Sequence, residues 1–549
     1  MNTQSSETTT PVSVIRLIED LDSGSFEIDL KFRSVKGIDS SLQVPRALIQ
    51  RPSEIFKALL DAGAELPLDQ KSTMDLLLKE LANPPGEITG YTRRAGWRGD
   101  TYIGKVRSFG SNNETMRFRP SGTIDPGYGL RSGDHVTWSS GLKIACEASS
   151  FFTFALCLGF GGSLLSMLDN DEGAIFNVFG SSSSGKSLMA RALASVAGRA
   201  ERTDLETYDI TDRGVEELCF ARNDWAAVFD EEGRAKGGKA QRRERVRSIA
   251  FMVPGGRGMT RSEQVASVFH LPNHTWRLFA MSSGEKPLED ASNRRAAGEQ
   301  VRHIDIGVPD IKEAGIFDRL TGSRFDRVRK ATEIAGTVEA TIKQHYGVAQ
   351  DIFLEALVKD HKNLTPKIGQ LVERFVNEVG ANDNAWERRL ATKFGIVAAG
   401  GVLAAKFDVA PFSQRHVWEC AQSVYQAARR SVFTVEESAN KVLDQLRAAL
   451  QDEHLLPRLD KGEVLPVELR EKAWGFRRRD AKDGEVVAIL PARFERLVGS
   501  RSAATAIMSS LLARGVTIKS SDGKAHRQMA VQGFSQGRTR WVCLRRSML

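Results

Sequence analysis

The stretch that decides the fold is Ala174-Ile-Phe-Asn-Val-Phe-Gly-Ser-Ser-Ser-Ser-Gly-Lys-Ser-Leu188. Its first six residues are apolar except for Asn177, which predicts a buried strand. The loop that follows, Gly180, Ser181, Ser182, Ser183, Ser184, Gly185, Lys186 and Ser187, has the spacing GxxxxGKS. Leu188-Met-Ala-Arg-Ala-Leu-Ala-Ser-Val196 then opens a helix. Strand, loop and helix in this order form a cradle for phosphates. Gly180 and Gly185 reach backbone conformations that strain other residues. The loop amides and the helix N-terminus point at the anion. Lys186 is placed to reach the β and γ phosphates, and the Ser187 hydroxyl to join a magnesium shell. The expected ligands are ATP and Mg2+.

Such a loop needs an acidic partner at the end of a neighbouring strand. Trp225-Ala-Ala-Val-Phe-Asp-Glu231 supplies it. Asp230 is expected to hold magnesium through water, and Glu231 to polarise the attacking water. Trp276-Arg-Leu-Phe-Ala-Met281 predicts a third strand, after which Ser282 or Ser283 can touch the γ-phosphate or the water. A turn-forming serine pair is the plainer alternative. Arg302 stands just before the strand His303-Ile-Asp-Ile306, where an arginine can reach a neighbouring subunit's ATP. A surface ion pair is the plainer role for it. Gly233–Ser248 carries seven Lys/Arg, and Pro254-Gly-Gly-Arg-Gly-Met-Thr-Arg261 follows. Glycines among arginines suit a loop that approaches a phosphate backbone.

Around this centre the chain of 549 residues is long enough for several domains. We read 1–12 as a disordered tail and 13–140 as a mixed α/β region of unknown role. We assign 141–345 to the core, 346–450 to helices and 451–549 to a small basic domain. Residues 470–549 hold 17 Lys/Arg against 6 Asp/Glu, a balance of +11 where the whole chain has +8. There Pro491–Val498 and Ser502–Arg514 predict two helices, with Gly515 ending the second. Val516–Lys519, a Ser521-Asp522-Gly523 turn, Met529–Phe534 and Thr539–Leu544 predict strands, the layout of a winged helix. The uncharged run Ala148–Leu168 is about the length of a membrane span, but its glycines and hydroxyls favour a buried core helix. Five scattered cysteines exclude a CxxC site and fit a reducing cytoplasm.

These residues, in this order, resemble the domain-of-unknown-function 927 family of phage and mobile-element replication proteins. The matching pieces are Gly96-Trp97, Gly180–Ser187, Asn223-Asp224 ahead of Asp230-Glu231, and Gly255-Gly-Arg-Gly258. Trp276, Ser282-Ser-Gly-Glu285, Gly298-Glu-Gln-Val-Arg302 and Tyr346-Gly347 continue the set over roughly residues 90–430. The order of elements predicts an α/β fold, a P-loop AAA+-type ATPase core with a helical region and a C-terminal winged-helix-like domain, and the resemblance implies an AAA+ ATPase. It also implies similarity to minichromosome-maintenance helicases, which work as hexameric rings on DNA, and it puts Arg302 at the arginine-finger position. Ser323-Arg-Phe-Asp326 spells the finger motif of those helicases, so Arg324 is a second candidate.

The resulting expectation is an ATP-dependent DNA helicase or translocase of a mobile element or prophage. It would act as an oligomeric ring, a hexamer, on single-stranded or forked DNA, without a membrane. One alternative is an ATP-switched assembly factor that binds a protein partner without unwinding DNA. Another is a P-loop phosphotransferase. DNA-stimulated hydrolysis distinguishes them.

Overall fold

The computed structural model describes residues 12–66, 70–82, 88–119, 126–169, 172–230, 238–259, 274–287, 297–382, 384–431, 435–498, 501–520, 526–534 and 537–549. Of the tail expected at residues 1–12, residues 1–11 lie outside them, and Val12 already begins a strand. The chain divides into two compact units, residues 1–286 with 301–426, and residues 287–300 with 427–549.

The first unit opens with a meander, β1 (Val12–Asp20), β2 (Phe26–Arg33) and β3 (Asp39–Pro45). Helices α1 (Pro52–Asp61) and α2 (Gln70–Ala82) follow, then β4 (Ile88–Thr92). Val12, Val14, Ile28, Leu30 and Phe32 pack on Ile55, Leu59 and Leu77 of the two helices. A small antiparallel sheet comes next, β5 (Gly96–Arg98), β6 (Thr101–Ile103) and β7 (Ser108–Gly110). β8 (Met116–Phe118) returns beside β4, so the first sheet runs β3-β2-β1-β4-β8.

The central sheet comprises β9 (Ala174–Phe179), β10 (Glu206–Thr207), β11 (Ala226–Asp230), β12 (Phe279–Gly284) and β13 (His303–Gly307). All its pairings are parallel, in the order β10-β11-β12-β9-β13. Strands β11 and β12 are buried along their whole length, as expected where helices cover both faces. Helix α3 (His135–Ala148) leads into α4 (Ser150–Gly161), whose residues are all buried. α4 lies against the helix Ala385–Lys406 so closely that a Cβ on Gly400 would stand 2.5 Å from the Gly161 nitrogen. The membrane-length run is thus a core helix. Among the described residues no helix is long and apolar enough to cross a membrane.

Two local expectations are corrected. The third strand runs Phe279–Gly284 rather than 276–281. The Trp276 amide and indole are engaged by Gly256 and Val253 carbonyls, and Thr275 bridges Arg257, so pairing with β11 starts only at Phe279. The basic segment expected as a loop is helical from Lys239 to Gly255 (α7, after α5, Lys186–Ser195, and α6, Asp212–Ala221). Val246, Ile249, Ala250 and Val253 give it a buried stripe at helical spacing. Arg245 pairs with Asp212, and the Met259 amide donates to Glu216 at 2.8 Å. That segment is therefore tied to α6 up to Met259, while 260–273 lie outside the described residues.

Helices Arg324–Gln344, Ala349–Lys359, His361–Glu378, Ala385–Lys406 and Gln414–Ser431 follow the central sheet, so helical structure begins well before residue 346.

In the second unit an antiparallel sheet has the order β14-β15-β17-β16. Its strands are β14 (Gly475–Asp480), β15 (Gly484–Ile489), β16 (His526–Ala530) and β17 (Arg538–Arg545). Val487, Ile489, Val542 and Leu544 pack on the helices Val435–Ala449, Pro491–Val498 and Arg501–Ala513. Phe476, Trp541 and Cys543 form a second cluster with Ile518 and Leu465. The strand expected at 516–519 makes only a bridge, Thr517 to Leu544, and the one expected at 529–534 lies at His526–Ala530. The β14–β15 hairpin was not foreseen, and the 521–523 turn lies outside the described residues.

Candidate active site

The loop after β9 leaves the sheet at its C-terminal edge, where the Gly180 amide donates to the Gly284 carbonyl of β12 at 3.3 Å. Ser183 and Gly185 both have left-handed φ, +64° and +96°, and turn the chain back so that α5 starts at Lys186. A Cβ on Gly185 would also stand 2.8 Å from Ile316, so glycine is required twice over. The open amides of the first turn of α5 face the loop. Lys186 arches across it, its ammonium donating to the Gly180 carbonyl at 2.9 Å, the Ser181 carbonyl at 2.8 Å and Ser184 Oγ at 3.3 Å. Burial pushes the lysine's pKa down, while Glu285 and Asp230 pull it up.

Asp230 ends β11 directly beside this loop and is buried. Its Oδ1 accepts from Ser187 Oγ at 3.4 Å and from Ser283 Oγ at 2.6 Å. Ser282 instead meets the Tyr208 hydroxyl at 2.7 Å. The serines lie inside β12, not after it, and strand alternation sends them to opposite faces. Sequence reasoning named both; only Ser283 reaches the carboxylate. Glu231 lies outside the described residues. Hydroxyl and carboxylate oxygens are the donors a hard divalent cation takes, and a magnesium site uses few protein ligands. Ser187 and Asp230 fit such an ion.

Beneath the loop a buried polar group explains Asn177. Its Nδ2 donates to Asp305 Oδ1 on β13 at 2.8 Å, and His303 Nδ1 lies 3.6 Å from the same oxygen. A polar side chain at one position of an apolar strand was the only sequence signal for this contact.

The two arginine candidates lie at opposite edges of the sheet. Arg302 precedes β13, where its carbonyl accepts from Ile175 at 2.8 Å, at the N-terminal end of β9. Its guanidinium faces Glu172 at 2.9 Å, and Arg389 (2.7 Å) and Lys393 (3.2 Å) face the same carboxylate. Arg324 is the first residue of its helix, capped by Ser323, and donates to the Lys312 carbonyl at 2.9 Å. It sits on the loop's own edge. Neighbouring Asp310 is held below the usual carboxylate range first by the Lys312 amide, and also by the Ser181 hydroxyl and Arg324.

Two motif pairs, far apart in sequence, meet. Asp224 accepts from the Trp97 amide at 3.0 Å, Ser166 Oγ at 2.6 Å and Asn223 Nδ2 at 2.8 Å. A Cβ on Gly96 would stand 2.5 Å from both Asn223 and Asp224. Burial raises the Asp224 carboxyl, against the pull of those donors and of Arg94 and Arg277. This knot ties β5 to the start of β11.

The elements together define a mixed α/β protein organised on parallel strands. Its residues 1–270 match the model of the Domain of unknown function (DUF927). The match includes residues 1–90, where sequence reading found nothing to name, and stops before Trp276 and Arg302. Among solved structures the chain is similar to the active helicase Cch of SCCmec type IV, at 13% identity and a TM-score of 0.62. The overlay covers 98% of this chain and 94% of that one. At that identity the likeness is one of fold. The apo C-terminal region of NrS-1 overlays at 10% identity over 76% of this chain and 92% of that one, with a TM-score of 0.25, too loosely to bear on the fold. No curated protein matches the chain.

Proposed function

We propose that this protein is an ATP-dependent DNA helicase or translocase of a mobile element or prophage that works as an oligomeric ring. The observation that carries the reading is the convergence of Ser187 and Ser283 on Asp230 beside a glycine-hinged loop and Lys186. Magnesium held there would neutralise charge on the transferring phosphate. The chain's own part is positional. Loop amides orient the triphosphate, Lys186 turns from its carbonyls to the outer phosphates, and Ser283 fixes the carboxylate's rotamer. Glu231 is the proposed base for water, and Arg302 the group supplied to a neighbouring copy. The global likeness to a helicase fold supports DNA as the substrate. So do Arg538 and Arg540, exposed on β17 of the second unit, which we read as winged-helix-like. Among the described residues no cluster of three or more His, Cys, Asp or Glu forms another metal site.

Strand displacement on forked DNA tests the proposal. The expected result is ATP-dependent unwinding, with hydrolysis stimulated by single-stranded or forked DNA. Hydrolysis indifferent to DNA would favour the protein-assembly alternative.

The two serines give a sharper local test. Ser283→Ala is expected to lower kcat about 10-fold, because Asp230 loses a charge-assisted hydrogen bond next to the metal position. Ser282→Ala is expected to cost about 1 kcal/mol of stability by removing its buried hydrogen bond with the Tyr208 hydroxyl, with kcat little changed. Steady-state phosphate release and thermal melts of both variants check this; equal kcat losses would remove the distinction.

A further inference from the structure

The cluster at the N-terminal end of β9 holds one carboxylate against three cations, Arg302, Arg389 and Lys393. The three differ in exposure. The Arg302 and Arg389 side chains are 38% and 46% exposed, that of Lys393 only 3%. Lys393 comes from the middle of the helix Ala385–Lys406 and also donates to the Glu172 and Gly173 carbonyls, at 3.2 Å and 2.8 Å. A lysine this deep is tolerated only with such partners. Burial lowers its pKa to about 8, against the pull of Glu172. It therefore acts as an anchor that fixes where Glu172 stands. Arg389 braces the carboxylate from one turn away, touching both oxygens at 2.7 and 2.9 Å.

Arg302 is held differently. Its Nε lies 2.9 Å from the carboxylate without an aligned hydrogen bond, so charge and packing aim the guanidinium while its outer face stays in solvent. Its own loop is out of reach, a strand's length of roughly 20 Å away at the other end of β9. Without the carboxylate, three cations within a few ångströms would repel and splay. With it, the cluster still carries surplus positive charge at the surface, complementary to a polyphosphate.

We propose that Glu172, anchored by Lys393 and braced by Arg389, is a positioning residue that aims Arg302 at the polyphosphate held by the Gly180–Ser187 loop of a second copy of this chain. The inference rests on the reading of Arg302 as a group that acts between copies, and the test separates the two.

Glu172→Gln keeps the side chain's shape and removes its charge. Its kcat is expected to fall roughly 10- to 100-fold, the cost of misaligning a group at the reacting phosphate. Its Kd for a fluorescent ATP analogue stays within about twofold of the parent, because the loop is distant. An equal mixture of Glu172→Gln and Lys186→Ala chains regains activity, since one copy supplies an intact loop and the other an intact Arg302–Glu172 pair. A mixture of Arg302→Ala and Lys186→Ala is the control. If the control regains activity but Glu172→Gln hydrolyses at the parent rate, loses nucleotide binding, or stays silent in its mixture, the positioning role is wrong. If the control itself stays silent, action between copies fails and the proposal goes with it.

Discussion

Lys186→Ala is expected to lower ATP hydrolysis by roughly 1,000-fold, the upper range for removing one preorganised charge donor from a transferring phosphate. The structure gives the reason for expecting a loss in rate more than in folding. Among the described residues Lys186 donates to its own loop, at Gly180, Ser181 and Ser184, and to no other element. Thermal melts should therefore stay close to the parent, and DNA binding should persist. Phosphate release measured beside a melt and a DNA-binding titration checks all three. A variant that hydrolyses ATP normally would remove Lys186 from the chemistry.

The second large effect concerns folding. Asp224→Ala is expected to cost about 3–5 kcal/mol, because it removes a buried carboxylate that accepts from several donors at once. The Trp97 amide, Ser166 and Asn223 all lose their bond to it. Asp224 itself has a left-handed φ of +53°, a conformation that aspartate adopts more readily than alanine. Gly96→Val should act on the same knot from the other side by driving Cβ into Asn223 and Asp224. Urea unfolding followed by tryptophan fluorescence reads both, since Trp97 and Trp225 flank the knot. A midpoint unchanged in either variant would show that the contact is dispensable.

How far the sequence could be read followed physical rules visible in particular residues. That the Gly180–Ser187 loop should meet Asp230 was legible from the strand–GxxxxGKS–helix spacing and a carboxylate at a strand end. Asn223-Asp224 and Gly96-Trp97 were legible only as resemblance; nothing local says that a tight glycine must meet a buried aspartate more than a hundred residues later. Helix α7 was missed because its arginines masked a stripe of four apolar residues. The offset of β12 came from Trp276, whose apolar ring suggested strand while its amide and indole pair with α7 and its end. Glu172, Arg389 and Lys393 carried no motif at all. Their meaning arises from three segments brought to one sheet edge, which periodicity cannot report.

The central claim is that a triphosphate sits on the amides of the Gly180–Ser187 loop with its metal facing Asp230. A crystal structure of the chain with magnesium and a non-hydrolysable ATP analogue tests it most directly. Phosphate oxygens are expected against the amides of residues 181–187, with Lys186 turned onto them and a metal about 2.1 Å from Ser187 Oγ. Nucleotide bound elsewhere, or a loop that stays closed on Lys186 at saturating ligand, would contradict it.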